Sequence, residues 1–322
     1  MGEPLRVLVL GTGAMATAIG ASLGRRPGVQ VTLAGTWEAA IDAVSARGAV
    51  VHDASGRWTA PIAAVPLAGA GPADLVLVLV KSHRTGAIAG VAARCSSPHG
   101  TILTLQNGLG HLETLEGAGG TGRVAIGVTT NGATVIAPGE VRFFAGRTTL
   151  GEEAATRSCI VRLAAILREG GLETAVSAAI ESVVWSKLAV NCSANPLTAL
   201  RGCRNGELVA DPSGREELCA AAREVGAVAA ARGIALEDDP AALAVRACET
   251  TAGNRSSMLQ DVARGARTEI DALNGAVAAE ARRLGVPVPV VESLWRRVRE
   301  LEGRPVAAAG LPCPRAVVPA RR

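Results

Sequence analysis

The stretch "RVLVLGTGAMATAIGASL", residues 6–23, decides the fold. Val7 to Leu10 form an unbroken aliphatic run, the pattern of a buried strand, which passes into Gly11, Gly13 and Ala16 before a helix begins. Gly11 suits a tight turn, Gly13 lets a pyrophosphate approach the backbone, and Ala16 fills a close-packing position where Gly or Ala is accepted. Free amides at the helix start then face phosphate. Gly11, Thr12, Gly13, Ala14, Met15 and Ala16 are therefore expected to cradle a dinucleotide. GxGxxA also occurs in ordinary glycine turns, and its place between a strand and a helix is what favours the cradle.

Outward from this turn, "VQVTLAG" (29–35), "ADLVLVLVK" (73–81), "GTILTLQNG" (100–108) and "RVAIGVTTNG" (123–132) read as further strands separated by Ala-rich helical segments. "DLVLVLV" is apolar almost throughout, as a strand covered on both faces should be. Strands alternating with helices predict an α/β fold: an N-terminal Rossmann-like, doubly wound, mainly parallel sheet. From about residue 156 the pattern turns helical, with Leu259, Val262, Ala266, Ile270, Leu273 and Val277 spaced three or four apart, so an all-helical C-terminal domain follows. The expected divisions are 1–175 for the dinucleotide-binding domain and 176–302 for the helical catalytic domain. Residues 303–322, rich in proline and without period, are expected to be a disordered tail.

The chain has 322 residues, 48% of them hydrophobic, enough for one large or two ordinary cores, and with no Tyr and two Phe those cores must be aliphatic. Net charge is +4 with 19% charged residues, and no Lys/Arg run is dense enough to track a nucleic-acid backbone. No stretch approaches the roughly 20 apolar residues of a membrane span, and the start carries no secretory pattern, so a cytoplasmic protein without nucleic-acid or membrane partners is expected. Seven scattered cysteines include no CxxC and no His at ligand spacing, so no metal site is expected.

"VQVTLAG" ends at Gly35 and Thr36, where an acidic residue would bind the ribose of NAD and an Arg the extra phosphate of NADP. Neither is present. Thr36 could donate one hydrogen bond to a phosphate, with Arg25 or Arg26 either nearby or simply solvated. Further on, "WSKLAVNCSANPLTAL" (185–200) carries Lys187, Asn191 and Asn195 every four residues, one polar stripe of about 12 Å on an apolar helix. Pro196 is expected to end that helix.

Four segments together, "GTGAMA", "VKSHRT" with "LQNGLG", "WSKLAVNCSANPLTALRGCRNGEL" and "NRSSMLQDVARGARTEIDALNG", resemble the ketopantoate reductase family, whose members reduce a 2-oxo acid with NADPH. The resemblance runs from residue 11 to 275. It implies Lys187 as the catalytic lysine, Asn191, Asn195 and Asn205 as substrate-binding asparagines, and Ser257 as the holder of the substrate carboxylate. It also implies Glu269, Lys81, Asn107 and the backbone at Ala133 as cofactor contacts, with Asn107 also close to the substrate. One position departs: Thr36 stands where the family usually has the Arg for the NADP phosphate. NADP(H) is thus favoured and NAD(H) remains open.

Reducing a 2-oxo acid leaves an alkoxide that needs a proton and, meanwhile, a positive charge; one ammonium supplies both. Asparagine amides suit hydroxyl and carboxylate groups because they offer donors and an acceptor without charge. Ser257 and Glu269 are twelve residues apart, about 18 Å along one straight helix, too far to grip the same small group. Without the resemblance, Ser257 would read as a helix cap, Glu269 as a solvated charge, and Lys81 and Asn107 equally well as turn residues. His83 has no carboxylate partner in sequence, and His52, His99 and His111 read as surface or turn residues.

The expected function is NADPH-dependent reduction of 2-dehydropantoate to (R)-pantoate in coenzyme A biosynthesis, in a cleft between the domains, on a chain that could form a homodimer. The alternatives are another D-2-hydroxy acid dehydrogenase of the family using NADH or NADPH, and a non-catalytic NADPH sensor. Lys187 argues against the sensor, which needs no proton donor.

Overall fold

A computed structural model describes residues 3–120 and 122–302. The segment expected to be a disordered tail, 303–322, lies outside the described residues. The chain parts into two units between Ile180 and Glu181.

The first unit carries strands β1 (Leu5–Leu10), β2 (Val29–Gly35), β3 (Ala49–Asp53), β4 (Gly56–Ala60), β5 (Ala63–Pro66), β6 (Ala73–Val78), β7 (Ser96–Thr104), β8 (Val124–Thr129), β9 (Gly132–Ala137), β10 (Glu140–Phe144), β11 (Arg147–Gly151) and β12 (Glu173–Ser177). Its helices are α1 (Ala14–Gly24), α2 (Glu38–Arg47), α3 (Thr85–Cys95), α4 (His111–Leu115) and α5 (Arg157–Glu169). Eight strands form one sheet in the order β12-β11-β8-β7-β6-β1-β2-β5, parallel except where β8 meets β11. The order reverses at β1. From there the chain winds outward to β2 and β5, then crosses back to β6, β7 and β8. Such a reversal opens a crevice at the carboxyl ends of the flanking strands. Leu8, Val9 and Leu10 are buried together with Leu75, Val76, Leu77 and Val78, as strands covered on both faces require.

Sequence periodicity did not announce a second sheet, β4-β3-β10-β9, which packs on α1. Its β3 and β10 pair in parallel across almost ninety residues, a pairing that local alternation of apolar residues cannot reveal.

The second unit is helical: α6 (Ile180–Arg201), α7 (Asn205–Ala210), α8 (Pro212–Ala231), α9 (Pro240–Thr250), α10 (Ser257–Ala263), a π-turn at Asp271–Gly275, α11 (Ala276–Leu284) and α12 (Pro289–Glu302). Leu197, Leu208, Leu218, Ala221, Ala222, Ala244 and Leu294 share one core, its small residues allowing close helix approach. No helix among the described residues is long and apolar enough to cross a membrane.

Two expectations about this unit are corrected. Pro196 does not end α6, which runs on to Arg201. A proline deprives the carbonyl four residues back of its helical donor, and here the Asn274 side chain supplies that carbonyl, Cys192 O, with a donor at 2.9 Å. The helix stops instead at Gly202, in the left-handed region at φ 65, where Cys203 N closes on Thr198 O. Nor is the run from Leu259 to Val277 one helix. Gly265 (φ 64) ends α10, with Gly265 N bonded to Val262 O and Ala266 N to Asp261 O, so the chain turns there and re-enters helix only at the π-turn.

Candidate functional site

In the first unit the glycine turn lies at the end of β1, where the sheet order reverses. Gly11 has φ 133, and a Cβ there would sit 2.9 Å from Leu79 O and 3.3 Å from the Ala16 Cβ. The turn therefore needs glycine at 11 and a small residue at 16. Gly13 is different. Its φ of −84 suits any residue, and nothing lies within 4 Å of where its Cβ would be. It precedes α1, no side chain caps the helix, and the first helical bond is Thr17 N to Gly13 O. Open space in front of uncapped amides at Ala14 and Met15 fits a pyrophosphate.

Thr12 turns its buried side chain onto Gly35, where any Cβ would lie 2.5 Å from the Thr12 hydroxyl. The end of β2 is thereby held against the turn, and Thr36 emerges exposed beside it. The cation next to Thr36 is neither Arg25 nor Arg26. Arg25 lies over the Trp58 ring, 4.5 Å from its centroid, and Arg26 is paired with Glu169 at 2.9 Å. Arg84 takes the place, its Nη1 3.5 Å from Thr36 Oγ1.

Lys81 and Asn107 sit on the loops after β6 and β7. Gln106 ties those loops together, its amide donating to Val80 O and to Thr85 Oγ1, each at 2.9 Å. His111 is not the surface or turn residue expected. It is buried, with Nε2 2.9 Å from Asn107 O and Nδ1 3.1 Å from Thr85 Oγ1, and so pins the backbone that presents Asn107. His52 is also engaged, 2.6 Å from Glu140. Ala133 lies on β9, its register partner Phe143 on β10.

In the second unit Lys187, Asn191 and Asn195 form a half-buried stripe along α6, flanked by buried Leu188, Ala189, Cys192, Ser193 and Ala194. Beside Lys187, Ser186 Oγ accepts the Glu237 amide at 2.9 Å, fixing this turn of α6. Burial lowers the Lys187 pKa from 10.5 to about 8, and the Glu269 carboxylate opposes that fall. Although the side chain keeps some exposed surface, protein surrounds it closely enough for desolvation to dominate.

Asn195, Ser257, Met258, Asp261, Glu269 and Leu273 line one shallow recess, too narrow as it stands to admit a water molecule. Ser257 and Glu269 thus reach the same small space, contrary to the straight-helix estimate, because the stop at Gly265 folds the chain back. Ser256, not Ser257, caps α10: its hydroxyl accepts Leu259 N at 3.1 Å and the Thr198 hydroxyl at 2.7 Å. Ser257 is left exposed at the recess. Asn205 is not among the lining residues. It opens α7, donating to Thr251 Oγ1 at 2.7 Å, and its own Oδ1 is buried without a partner and closed to a ligand in this conformation.

Sequence reading missed Gln106, Arg84, His111 and Asp261; the last is buried in the recess and paired with Arg264 at 2.7 Å. One signal was there to be used. The chain has 33 Lys and Arg residues but only two lysines, Lys81 and Lys187. An amine retained where arginine serves everywhere else marks a position that needs a compact, titratable cation.

Family models match both units of the chain. "Ketopantoate reductase PanE/ApbA" matches residues 7–154, and "Ketopantoate reductase PanE/ApbA C terminal" matches 179–302. The 2-dehydropantoate 2-reductase of Halobacterium salinarum is 37% identical over 300 residues, covering 92% of this chain and 98% of its own. A ketopantoate reductase structure from Ralstonia eutropha superposes with a TM-score of 0.84 at 30% identity, covering 93% of this chain and 99% of that one. D-mandelate dehydrogenase, solved with NADH and anilino(oxo)acetate, shares the fold at 23% identity, with a TM-score of 0.87 over 96% of this chain and 100% of that one. Fold and relatives define an NAD(P)H-dependent oxidoreductase acting on a CH–OH group. The chain belongs to the ketopantoate reductase family.

Proposed function

We propose that this protein reduces 2-dehydropantoate to (R)-pantoate with NADPH, serving pantothenate and coenzyme A synthesis, with Lys187 as the proton donor. The observation that carries the reading is a half-buried lysine, its pKa lowered to about 8, on one stripe with Asn191 and Asn195. A reduced dinucleotide, when bound, would supply the hydride for the carbonyl carbon. Lys187 stabilises the charge developing on the carbonyl oxygen and delivers the proton there, and a donor pKa near the working pH favours that transfer. Asn191 and Asn195 orient hydroxyl and carbonyl groups, exposed Ser257 receives the carboxylate, and Asn205 is assigned to the substrate by the family resemblance alone. Lys81, Asn107 and Ala133 hold the dinucleotide with residues 11–16, and Glu269 serves both the cofactor and the charge balance of Lys187.

The test is a spectrophotometric assay of NADPH oxidation with 2-dehydropantoate and a panel of branched 2-oxo acids. No turnover with any would favour a dinucleotide sensor. Turnover confined to other 2-oxo acids would favour a sister dehydrogenase, a reading to which the shared fold of D-mandelate dehydrogenase lends weight.

NADPH is preferred on this reading because Arg84 supplies beside Thr36 the cation absent after β2. Arg84→Ala is expected to weaken NADPH binding by about tenfold, an exposed ionic hydrogen bond's worth, and to leave NADH affinity unchanged. Dissociation constants for both cofactors check this, and equal losses for the two would reject it. The pH dependence follows from Lys187: it must be protonated to donate, so kcat should be level below about pH 8 and fall above it.

A further inference from the structure

We propose that Asn274 is a positioning residue that tethers the helix bearing Lys187 to the segment bearing Glu269, and thereby sets the separation of ammonium and carboxylate. The inference deepens the reading of Lys187 as proton donor and rests on it for its catalytic meaning.

Three observations carry it. Pro196 lacks the N–H that would close on Cys192 O, yet α6 runs through it unbroken. The donor comes from outside the helix: Asn274 Nδ2, completely buried, 2.9 Å from Cys192 O, with Val291 O at a longer 3.5 Å. Asn274 is in turn rigidly joined to Glu269, because Ala272 N and Leu273 N both bond to Glu269 O at 3.1 Å and Gly275 N to Ile270 O at 3.0 Å. One compact turn therefore connects the Glu269 backbone to the Asn274 amide, and five residues of α6, about 7.5 Å of rise, connect Cys192 to Lys187. The amide is the clamp between them.

A side chain chosen only to fill this site would be apolar. Burying an asparagine with Oδ1 unmet costs free energy that a leucine would avoid, and the Cys192 carbonyl could have been satisfied more simply by any residue but proline at 196. Proline at 196 with asparagine at 274 replaces a bond within one helix by a bond between two segments, and those segments carry the two opposed charges. Glu269 is the charged group that acts on Lys187. Asp261, the other carboxylate of the recess, is already paired with Arg264.

Relaxing the clamp should let Glu269 withdraw and make the ammonium easier to deprotonate. The test separates this from simple backbone satisfaction. Pro196→Ala restores an N–H to Cys192 O, so Asn274→Leu placed in that background keeps the carbonyl bonded and loses only the tether; the double variant is the one to use where Asn274→Leu alone fails to fold. Pulse labelling with acetic anhydride across pH, followed by peptide mass spectrometry, reads the Lys187 amine directly, with Lys81 as the single other lysine for comparison. The double variant is expected to melt with Pro196→Ala but to label with a midpoint lower by about half a pH unit or more, and the alkaline limb of kcat should move with it. A midpoint equal to that of Pro196→Ala, or higher, overturns the proposal. Because labelling does not depend on turnover, full activity in Lys187→Ala would sink the proton-donor reading and leave the tether standing.

Discussion

Lys187→Ala is expected to lose about 100-fold to 10,000-fold in kcat while binding the reduced dinucleotide as tightly as the native chain. The loss is large because two contributions vanish at once: the proton for the new hydroxyl and the positive charge beside the oxygen before the proton arrives. Cofactor binding survives because the residues assigned to the phosphates, Gly11 to Ala16, belong to another unit of the chain. Isothermal titration with NADPH beside single-turnover kinetics checks both halves, and loss of cofactor affinity would show the role to be misassigned.

The same lysine carries a stability consequence of definite sign. Its folded pKa of about 8 lies below the 10.5 of the unfolded chain, so between those values the unfolded state holds more protons and stability rises with pH; below about 8 the burial penalty is fully present. Lys187→Met should therefore stabilise the protein at neutral pH by about 2 kcal/mol, a figure already discounted for the exposed part of the side chain. Melting temperatures at pH 7 and pH 10 measure it, and the gain should shrink at the higher pH.

Two glycines of one turn should answer substitution in opposite ways. Gly13→Val is expected to fold with an almost unchanged melting temperature and, on the proposed reading, to bind NADPH at least about 100-fold more weakly, because its branched carbons enter open space assigned there to the phosphates. Gly11→Ala should instead lose several kcal/mol of stability, on the order of 2–4, since its φ of 133 and the Leu79 carbonyl 2.9 Å away both oppose a Cβ. Denaturant melts paired with cofactor titrations distinguish them. A Gly13→Val protein that binds NADPH normally would remove the turn from the site.

The turn was legible from sequence because everything it needs lies in one continuous stretch, Leu5 to Gly24: a strand, two glycines, a small residue and a helix. Lys187, Asn191 and Asn195 were legible as a stripe for the same reason, helical geometry being local. What could not be read was whatever depends on chain reversal. Ser257 and Glu269 looked about 18 Å apart until Gly265 was seen to stop the helix, although a glycine after "QDVAR" is itself a stop signal that apolar spacing obscured. Arg84 reaches Thr36 from forty-eight residues away, and His111 meets Thr85 across twenty-six, so no window of sequence contains either pair. Pro196 misled in another manner: the rule that proline breaks helices assumes no outside donor, and Asn274 is one.

The second sheet has a consequence for how the molecule is born. Helix α1 packs against β3, β9 and β10, and β3 has no parallel neighbour until residues 140–144 exist. A chain emerging from the ribosome can thus shape its glycine turn early and cover part of α1 with β2, β3 and β4, yet the face that β9 and β10 cover stays open for more than a hundred residues of further synthesis. Long-range strand pairing is slow and leaves such surfaces open to misassociation, so truncation before residue 144 should yield aggregates and dependence on chaperones, not a small working cofactor binder.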